Sequence, residues 1–258
     1  MLRSRLIPCL LVHKGGLYKT VKFKDHRYVG DPLNAVRIFN EKQVDELLVL
    51  DIDASKEGRE PNYSLISSLA VECRMPLCYG GGVTSPVQVE RIVGLGVEKV
   101  AMSAGAIADP GLISESARRV GRQSVVFVID AKKTGVFSKG YEVFTHNGSR
   151  STGRSAVEVA RAVQDLGVGE IVVNSIDKDG TGEGYDRDLI GQVKSAVGVP
   201  VTALGGAGSL SDVGALTTRF GLIGAAAGSM FVFKGKYRAV LIQYPSPEDK
   251  HKVLSYVG

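Results

Sequence analysis

Short apolar runs alternate with longer amphipathic segments along most of the chain. The apolar runs predict strands over residues 5–11, 46–52, 75–79, 98–103, 124–130, 169–176, 199–204 and 222–227. The amphipathic segments predict helices over residues 32–43, 62–73, 86–95, 110–120, 154–166, 186–197 and 210–220, with a weaker helix after Gly235. Near-continuous apolar strands that alternate with helices indicate a parallel sheet covered on both faces. Eight such units fit a closed (β/α)8 barrel better than an open sheet.

An internal repeat supports the closed barrel. The pair Gly81-Gly82 recurs 124 residues later as Gly205-Gly206. The same offset carries residues 51–53 onto 175–177 and residues 101–105 onto 225–229. Three matches in register predict two similar half-barrels of four βα units each. The expected α/β fold is therefore a (β/α)8 TIM barrel that forms one domain over residues 1–258.

Composition restricts the class of protein. With 44% hydrophobic and 23% charged residues, the 258-residue chain is an ordinary globular sequence rather than a disordered one. Cys9, Cys73 and Cys78 are an odd number without metal-like spacing, which is typical of a reducing compartment. The longest uncharged stretch, residues 220–233, is shorter than the ~20 residues that span a bilayer. The sequence predicts a cytoplasmic protein without a membrane segment.

The net charge of +5 is concentrated near the N-terminus. The residues concerned are His13, Lys14, Lys19, Lys22, Lys24, His26 and Arg27. This segment is either a solvated basic loop or a loop that attracts an anionic ligand or partner. No aromatic-interleaved motif or recognition helix accompanies the charge, so a nucleic-acid partner is not expected.

Glycine-rich turns follow several predicted strands, at the end of a barrel where ligands bind. We call residues 80–82 with 103–105 cradle one, and residues 205–208 with 228–229 cradle two. Glycine lets backbone N–H groups approach a phosphate, although a single Gly-Gly pair is also common in plain turns. Two cradles predict a phosphorylated small-molecule ligand with two phosphates. The candidate phosphate-binding residues are Gly81, Gly82, Ser103, Asp179, Gly180, Gly205, Gly206, Gly228 and Ser229.

Carboxylates also end these strands and are candidates for general acid–base chemistry. Asp130 is the strongest catalytic candidate, whereas Asp51, Asp177 and Asp179 could equally cap βα loops. Lys19 and Lys132 are the candidate cationic neighbours. Further candidate residues at this end are Lys19, Asp51, Asn174 and Ser175. No Ser/His/Asp set, Cys/His pair or clustered metal ligands occur, so neither a metal nor a cofactor is expected.

Several motifs resemble the HisF family, the cyclase subunit of imidazole glycerol phosphate synthase. They are IPCL in the first strand, GDP at 30–32, DELLVLDIDAS at 45–55, YGGGV, VIDAK, NSIDKDGT, LGGAG and AGSMF. The resemblance extends from residue 1 to about residue 235. It implies a (β/α)8 barrel that binds a HisH-like class I glutaminase at its N-terminal face. Ammonia from the glutaminase would pass through the barrel and attack a phosphoribulosyl formimino-carboxamide ribonucleotide.

The resemblance also implies two aspartates that act as general acid and base. One matches Asp130, but the family reads IPCLD where this chain reads IPCLL, so Leu11 occupies the second position. An isobutyl group transfers no proton, and losing one half of such a pair costs ~10²–10⁴-fold in rate. Cradle one departs as well, because Ser103 and Ala104 replace the family's Asn-Thr.

The opposite end of the barrel keeps the family pattern. Four charged residues gate the ammonia entrance in the family, and they match Arg5, Glu46, Lys99 and Glu170. Such residues can form a ring of paired charges around the barrel axis. The alternative is four unrelated surface charges.

This combination resembles a divergent HisF-like branch encoded with surface-polysaccharide (LPS O-antigen) genes. The stretches IPCLLVHKGGLYKTVKFKDHRYVGDP and FVFKGKYRAVLIQYP carry that resemblance. The branch implies an ammonia-channelling subunit that serves a sugar amidotransferase, which makes an acetamidino sugar. A second hypothesis is a true cyclase that uses Asp130 alone or recruits Asp51 or His13. A third is a structural barrel that only anchors a partner. The tail after Phe233 either packs as a C-terminal helix or contacts a third protein.

Overall fold

Eight parallel strands close into a barrel in the computed structural model, which describes residues 2–135, 140–254 and 256–257. The strands are β1 (Arg5–His13), β2 (Leu47–Asp51), β3 (Leu77–Gly80), β4 (Lys99–Met102), β5 (Val125–Lys133), β6 (Glu170–Ser175), β7 (Val201–Leu204) and β8 (Gly224–Ala227). Each pairs with its sequence neighbour, β8 pairs with β1, and β4 pairs with β5. The predicted (β/α)8 barrel is confirmed.

Helices surround the barrel. They are α1 (Pro32–Glu41), α2 (Tyr63–Glu72), α3 (Pro86–Gly94), α4 (Gly111–Val120), α5 (Ala156–Leu166), α6 (Arg187–Ala196), α7 (Leu210–Phe220) and α8 (Pro247–Val253). Short helical turns cover Ala54–Glu57, Ala104–Ala108, Arg122–Ser124 and Ser229–Val232. Side chains of Asp31 and Ser85 accept hydrogen bonds from the first turns of α1 and α3, as their positions before proline predict.

Two antiparallel hairpins rise from the C-terminal ends of the barrel strands. Gly16–Val21 and Lys24–Gly30 follow β1, and Tyr141–Thr145 and Arg150–Ser155 follow β5. The basic segment 13–27, expected to be a loop, is therefore mostly strand. The first hairpin continues the pairing of β1, since Leu11 lies opposite Tyr18 and Tyr18 opposite Tyr28. Single-sequence patterns miss this pairing because it depends on the partner strand.

The tail also differs from expectation. A helix was predicted after Gly235, but this glycine lies in the turn of a hairpin that pairs Phe233–Lys234 with Ala239–Val240. The next helix, α8, begins only at Pro247. Left-handed backbone at Gly235 (φ 70°) and Arg238 (φ 51°) turns the chain there and excludes a helix. The tail does contain a C-terminal helix, α8, as one of the two alternatives predicted. It packs on α7, and the Thr217 hydroxyl donates a hydrogen bond to the Val253 carbonyl. At the chain ends, Leu2–Arg3 pairs with Tyr256–Val257.

Side chains alternate between two apolar cores. One set packs the outer face of the strands against the helices, and the other fills the barrel interior, as expected for a closed barrel. We call the interior the lumen. Its buried apolar residues are Ile7, Cys9, Leu11, Leu48, Cys78, Ala101, Val126, Val128, Val172, Leu204 and Ala226. The lumen separates the two ends of the barrel, which carry different chemistry.

The 124-residue repeat is visible in the backbone. A Cβ atom on Gly81 (φ 125°) would lie 2.4 Å from the Asp51 carbonyl oxygen. A Cβ atom on Gly205 (φ 90°) would lie 2.7 Å from the Ser175 carbonyl oxygen. Both contacts join positions that the repeat relates to each other. Only glycine lets the third and seventh strand ends pass so close to their neighbours.

Candidate functional site at the barrel mouth

An open cavity of about 1200 Å³, including solvent at its entrance, occupies the C-terminal end of the barrel. We call it the mouth. Asp130, Leu11, Lys19 and both glycine cradles line it. A pocket of this size and position is where barrels of this type bind ligands.

Asp130 lies at the centre of the polar groups in the mouth. The Nδ2 amide of Asn174, on the adjacent strand, donates a hydrogen bond of 2.9 Å to its carboxylate. Burial raises the pKa of Asp130 to about 7, and the Asn174 hydrogen bond opposes that shift. A carboxyl group with this pKa can both accept and donate a proton near neutral pH.

Leu11 also lines the mouth, and no carboxylate takes over its position by hydrogen bonding to Asp130 among the described residues. Leu11 is 9% exposed, belongs to the lumen cluster and lies opposite Leu50 in the barrel register. Asp51 faces the cavity, but its Oδ1 accepts hydrogen bonds from the backbone N–H groups of Asp53 and Ala54. Burial, the largest effect, raises the pKa of Asp51. Asp51 thus caps a βα loop.

His13 is also engaged elsewhere. Its Nδ1 lies 2.7 Å from the Asp53 carboxylate, and its ring stacks on His26. His13 does not line the mouth, whereas His26 does. The two residues named as substitutes for the missing aspartate therefore have other structural partners.

Cradle two contains a buried cation. Lys19 is 5% exposed, and its Nζ donates a hydrogen bond of 2.9 Å to the Cys9 carbonyl. A Cβ atom on Gly228 would lie 2.0 Å from that Nζ, so glycine makes room for the ammonium group. Lys19 thus sits against the predicted phosphate-binding backbone at Gly228 and Ser229.

Cradle one has hydroxyl and backbone groups instead. The buried Ser103 hydroxyl has no hydrogen-bond partner, and Ser103 lines the mouth with Gly81 and Gly82. The nearby Arg59 forms ion pairs with Asp51 and Glu57. The two cradles are therefore unequal in charge.

Of the remaining predicted residues, some line the mouth and others lie outside it. Asp179 and Gly180 line the cavity, and Asp179 accepts hydrogen bonds from the Thr20 hydroxyl (2.6 Å) and the Phe23 backbone N–H (3.1 Å). These bonds fasten the first hairpin over the mouth. Ser175 donates to Asp186 and does not line the cavity. Lys132 is exposed, and Asp177 accepts a hydrogen bond from the Lys133 backbone N–H.

Sequence reasoning missed several mouth residues on the two hairpins. They are Thr20, Phe23, His146 and Asn147, while His26, predicted only as part of the basic segment, also lines the mouth. Asn147 donates a hydrogen bond of 2.7 Å to the Ile52 carbonyl and so ties the second hairpin to the loop after β2. The left-handed turn at His146 and Asn147 was the available signal, since Asn favours that conformation.

At the opposite end of the barrel, Arg5, Glu46, Lys99 and Glu170 form a closed ring of ion pairs, which we call the charge ring. Arg5 contacts Glu46 and lies 2.7 Å from Glu170, while Lys99 lies 2.9 Å from each of the two carboxylates. Both glutamates are 5% exposed. The alternative of four unrelated surface charges is wrong.

The ring is electrostatically balanced. Burial raises the pKa of Glu170, but Arg5 and Lys99 outweigh burial and hold it below the usual value. Burial lowers the pKa of Lys99, yet the two carboxylates raise it overall. Each cation of the ring bridges both anions.

A small cavity lies between the charge ring and the lumen. Ring carboxylates Glu46 and Glu170 line it together with Thr202 and apolar side chains of the lumen. The apolar wall consists of Ile7, Leu48, Cys78, Val126 and Val172. Two residues further along their strands, Cys9, Leu50 and Val128 line the floor of the mouth. The mouth and the small cavity are thus separated by adjacent layers of apolar side chains.

The described part of the chain offers neither a membrane-spanning helix nor a metal-ligand cluster. None of the helices in residues 2–135, 140–254 and 256–257 is long and apolar enough to cross a bilayer. The same residues contain no group of three His, Cys, Asp or Glu side chains placed to hold a metal ion.

Comparison with known proteins identifies the family. The family model described as histidine biosynthesis protein matches residues 5–238. A Vibrio vulnificus protein provisionally named imidazole glycerol phosphate synthase subunit hisF3 is 55% identical over 98% of this chain and 97% of its own. A Pseudomonas aeruginosa protein provisionally named subunit hisF2 is 54% identical over 95% and 97%. Imidazole glycerol phosphate synthase subunit HisF of Hyphomonas neptunium is 44% identical over 90% and 91%. The chain belongs to the HisF family of histidine biosynthesis proteins.

Proposed function

We propose that this chain is the synthase-side subunit of a glutamine amidotransferase. It receives ammonia from a HisH-like class I glutaminase at the charge ring and conducts it through the lumen to the mouth. The acceptor is the substrate of a sugar amidotransferase that makes an acetamidino sugar for surface polysaccharide. The observation that carries this proposal is the contrast between the complete charge ring and Leu11, which lines the same mouth as Asp130.

The charge ring supports the entrance role. Its four ion pairs lie at the starts of strands around one axis, with a small cavity directly on the lumen side. Stability alone does not explain such a ring, because a buried ion pair is often no better than apolar residues of similar volume. Bridging pairs can exchange partners without leaving any charge unpaired. That property suits an entrance that opens for a small neutral molecule.

The lumen supports the conducting role. Its wall is apolar between the charge ring and the floor of the mouth. Ammonia crosses such a wall as the neutral molecule, whereas the ammonium ion is excluded by its desolvation cost. The mouth and the small cavity lie at the two ends of the lumen. Movements of the apolar side chains between them would open a path for ammonia.

Leu11 supports an acceptor other than the ribonucleotide of histidine biosynthesis. A general acid–base pair needs two ionisable groups, and Leu11 supplies none. The carboxylate of Asp51 and the imidazole of His13 are engaged with other partners. The resemblance of residues 7–32 and 231–245 to the surface-polysaccharide branch supports a sugar amidotransferase as the enzyme that uses the ammonia.

A second candidate function is the imidazole glycerol phosphate synthase cyclase itself, which would form imidazole glycerol phosphate and AICAR. The names of the relatives support this candidate directly, and none of those names mentions a sugar. The pKa of Asp130, raised by burial to about 7, also favours it, because one such group can act as base and then as acid. Both candidates share the glutaminase and the ammonia route.

Reconstitution with the glutaminase tests the ammonia route. The complex is given the acceptor enzyme and either glutamine or ammonium chloride as the nitrogen source. Glu46→Gln keeps the side-chain shape but removes one ring charge, and Glu248→Gln removes an exposed charge on α8 as the control. We expect Glu46→Gln to lower glutamine-driven product formation by about tenfold, because channelled delivery raises the local ammonia concentration. Ammonium-driven formation should stay within about twofold.

Three results would contradict the proposal. One is an equal fall of both reactions in Glu46→Gln, and another is no fall in either reaction. The third is failure to form a complex or stimulate the glutaminase at all, which would favour a barrel that only anchors a partner.

A further inference from the structure

The C-terminal hairpin brings an arginine to cradle two. Arg238 Nη1 donates to the Gly180 carbonyl and Nη2 to the Ser229 hydroxyl, both at 3.4 Å. Gly180 and Ser229 line the mouth, although Arg238 itself lies at the rim. The expectations for this site, derived from the glycine turns, did not include any residue of the tail.

The hairpin holds the guanidinium in place. Its carbon Cζ lies 4.6 Å from the centre of the Phe233 ring, which is a cation–π distance. The Leu241 backbone N–H bonds to the Val232 carbonyl, and the Gln243 amide bonds to the Phe233 carbonyl. The side chain is therefore positioned by the hairpin and not by an opposing acid.

Cradle two thus has two cations that lack an acidic partner. Within residues 2–135 and 140–254, neither Arg238 nor Lys19 forms an ion pair with a carboxylate. Lys19 approaches Gly228 from inside the barrel, and Arg238 approaches the neighbouring Ser229 from the rim. Next to cradle one, by contrast, Arg59 is paired with Asp51 and Glu57. The positive charge available to an anion is concentrated at cradle two.

We propose that Arg238 of the C-terminal hairpin is a phosphate-binding residue of cradle two. This proposal rests on the proposed function in taking the mouth as the ligand site. Hydrogen bonds of 3.4 Å to a carbonyl and a hydroxyl are long and weak. An incoming phosphate offers Arg238 shorter, charge-assisted bonds in a bidentate geometry.

The test compares Arg238→Gln with a matched control. Arg27 lies on the other hairpin, with its Cζ 4.9 Å from the same Phe233 ring, and forms no contact with Gly180 or Ser229 in the described structure. Arg27→Gln therefore removes the same charge and a similar cation–π contact without touching cradle two. Ribose 5-phosphate is the probe, with ribose as its uncharged counterpart, and calorimetry or ³¹P NMR measures the dissociation constant.

We expect wild type to bind ribose 5-phosphate and not ribose. Arg238→Gln should weaken that binding between about 10-fold and 100-fold, the range for a charged hydrogen bond. Arg27→Gln should change it less than about threefold, since only long-range charge is lost. Thermal melts of both variants check that the hairpin stays folded.

Three results would overturn the proposal. Equal binding by wild type and Arg238→Gln would mean that Arg238 does not bind the phosphate, although the protein still does. Equal weakening by both variants would assign the effect to packing on Phe233. Absence of binding by wild type would overturn this proposal together with the sequence-based prediction of a phosphate at cradle two, and it would leave the ammonia route of the proposed function untouched. The assay contains neither glutaminase nor ammonia, so a failure of the ammonia route leaves its outcome unchanged.

Discussion

The amide of Asn174 donates a hydrogen bond of 2.9 Å to Asp130 from the adjacent barrel strand. The amide oxygen of Asn174 is buried and has no partner in the described structure. The pair is therefore oriented by one hydrogen bond, which favours the ionised form of Asp130, while burial favours the protonated form. Burial is the larger effect.

Asp130 should make the protein less stable as the pH rises. Its folded-state pKa is raised from 3.8 to about 7, so the folded state binds the proton more tightly than the unfolded state. The stabilisation is complete below pH ~4 and is lost as the pH rises through about 7. Asp130→Asn should therefore gain up to about 4 kcal/mol of unfolding free energy relative to wild type between pH 4 and 8. Urea melts across this range measure the difference in unfolding free energy. A wild type that becomes more stable relative to Asp130→Asn as the pH rises would refute the prediction.

The charge ring predicts a large cost for removing one cation. Lys99→Met leaves two buried carboxylates with Arg5 alone, and removal of one partner from a buried pair costs about 3–5 kcal/mol. Lys252→Met is the matched control, because Lys252 is exposed and pairs with Glu248 on α8. An exposed pair contributes at most about 1 kcal/mol. Equal losses for the two variants in denaturant melts would mean that the ring charges are solvated.

The repeat predicts a specific glycine requirement at the strand ends. Gly205→Ala places a methyl group 2.7 Å from the Ser175 carbonyl at φ 90°. Gly58→Ala is the control, since its φ of 65° and ψ of 27° are left-handed but nothing lies within 4 Å of the added methyl group. The control should lose about 1 kcal/mol through backbone strain alone, and Gly205→Ala about 1–3 kcal/mol more. Similar melting temperatures for both variants would contradict the close approach.

Local sequence pattern was sufficient to predict the barrel and its two ends. Strand residues alternate strictly between the lumen and the helices, and the 124-residue offset relates Asp51 to Ser175 and Gly81 to Gly205. Resemblance to the family then placed Arg5 and its three ring partners together. The strands and the repeat have fixed spacing, so a single chain reveals them, whereas the ring was implied by the resemblance alone.

The parts that escaped prediction depend on contacts distant in sequence. Thr20 and Asp179 are far apart in the chain, and their hydrogen bond holds the first hairpin over the mouth. Arg238 reaches Ser229 only because the tail turns back as a hairpin. The first hairpin turns at Lys22 and Phe23, which have left-handed backbone. Lysine and phenylalanine do not mark such a turn, so the sequence pattern does not show it. Long-range pairing of this kind is decided by tertiary packing.

Substitution of Leu11 tests the central claim most directly. Leu11→Asp supplies the missing carboxyl, and Leu11→Asn has the same shape without an ionisable group. The assay supplies the phosphoribulosyl formimino-carboxamide ribonucleotide with ammonium salt and measures imidazole glycerol phosphate and AICAR. The account predicts that Leu11→Asp exceeds wild type and Leu11→Asn by about 100-fold or more, the contribution of one general acid–base group. Rapid turnover by wild type, or equal activity in all three proteins, would contradict it.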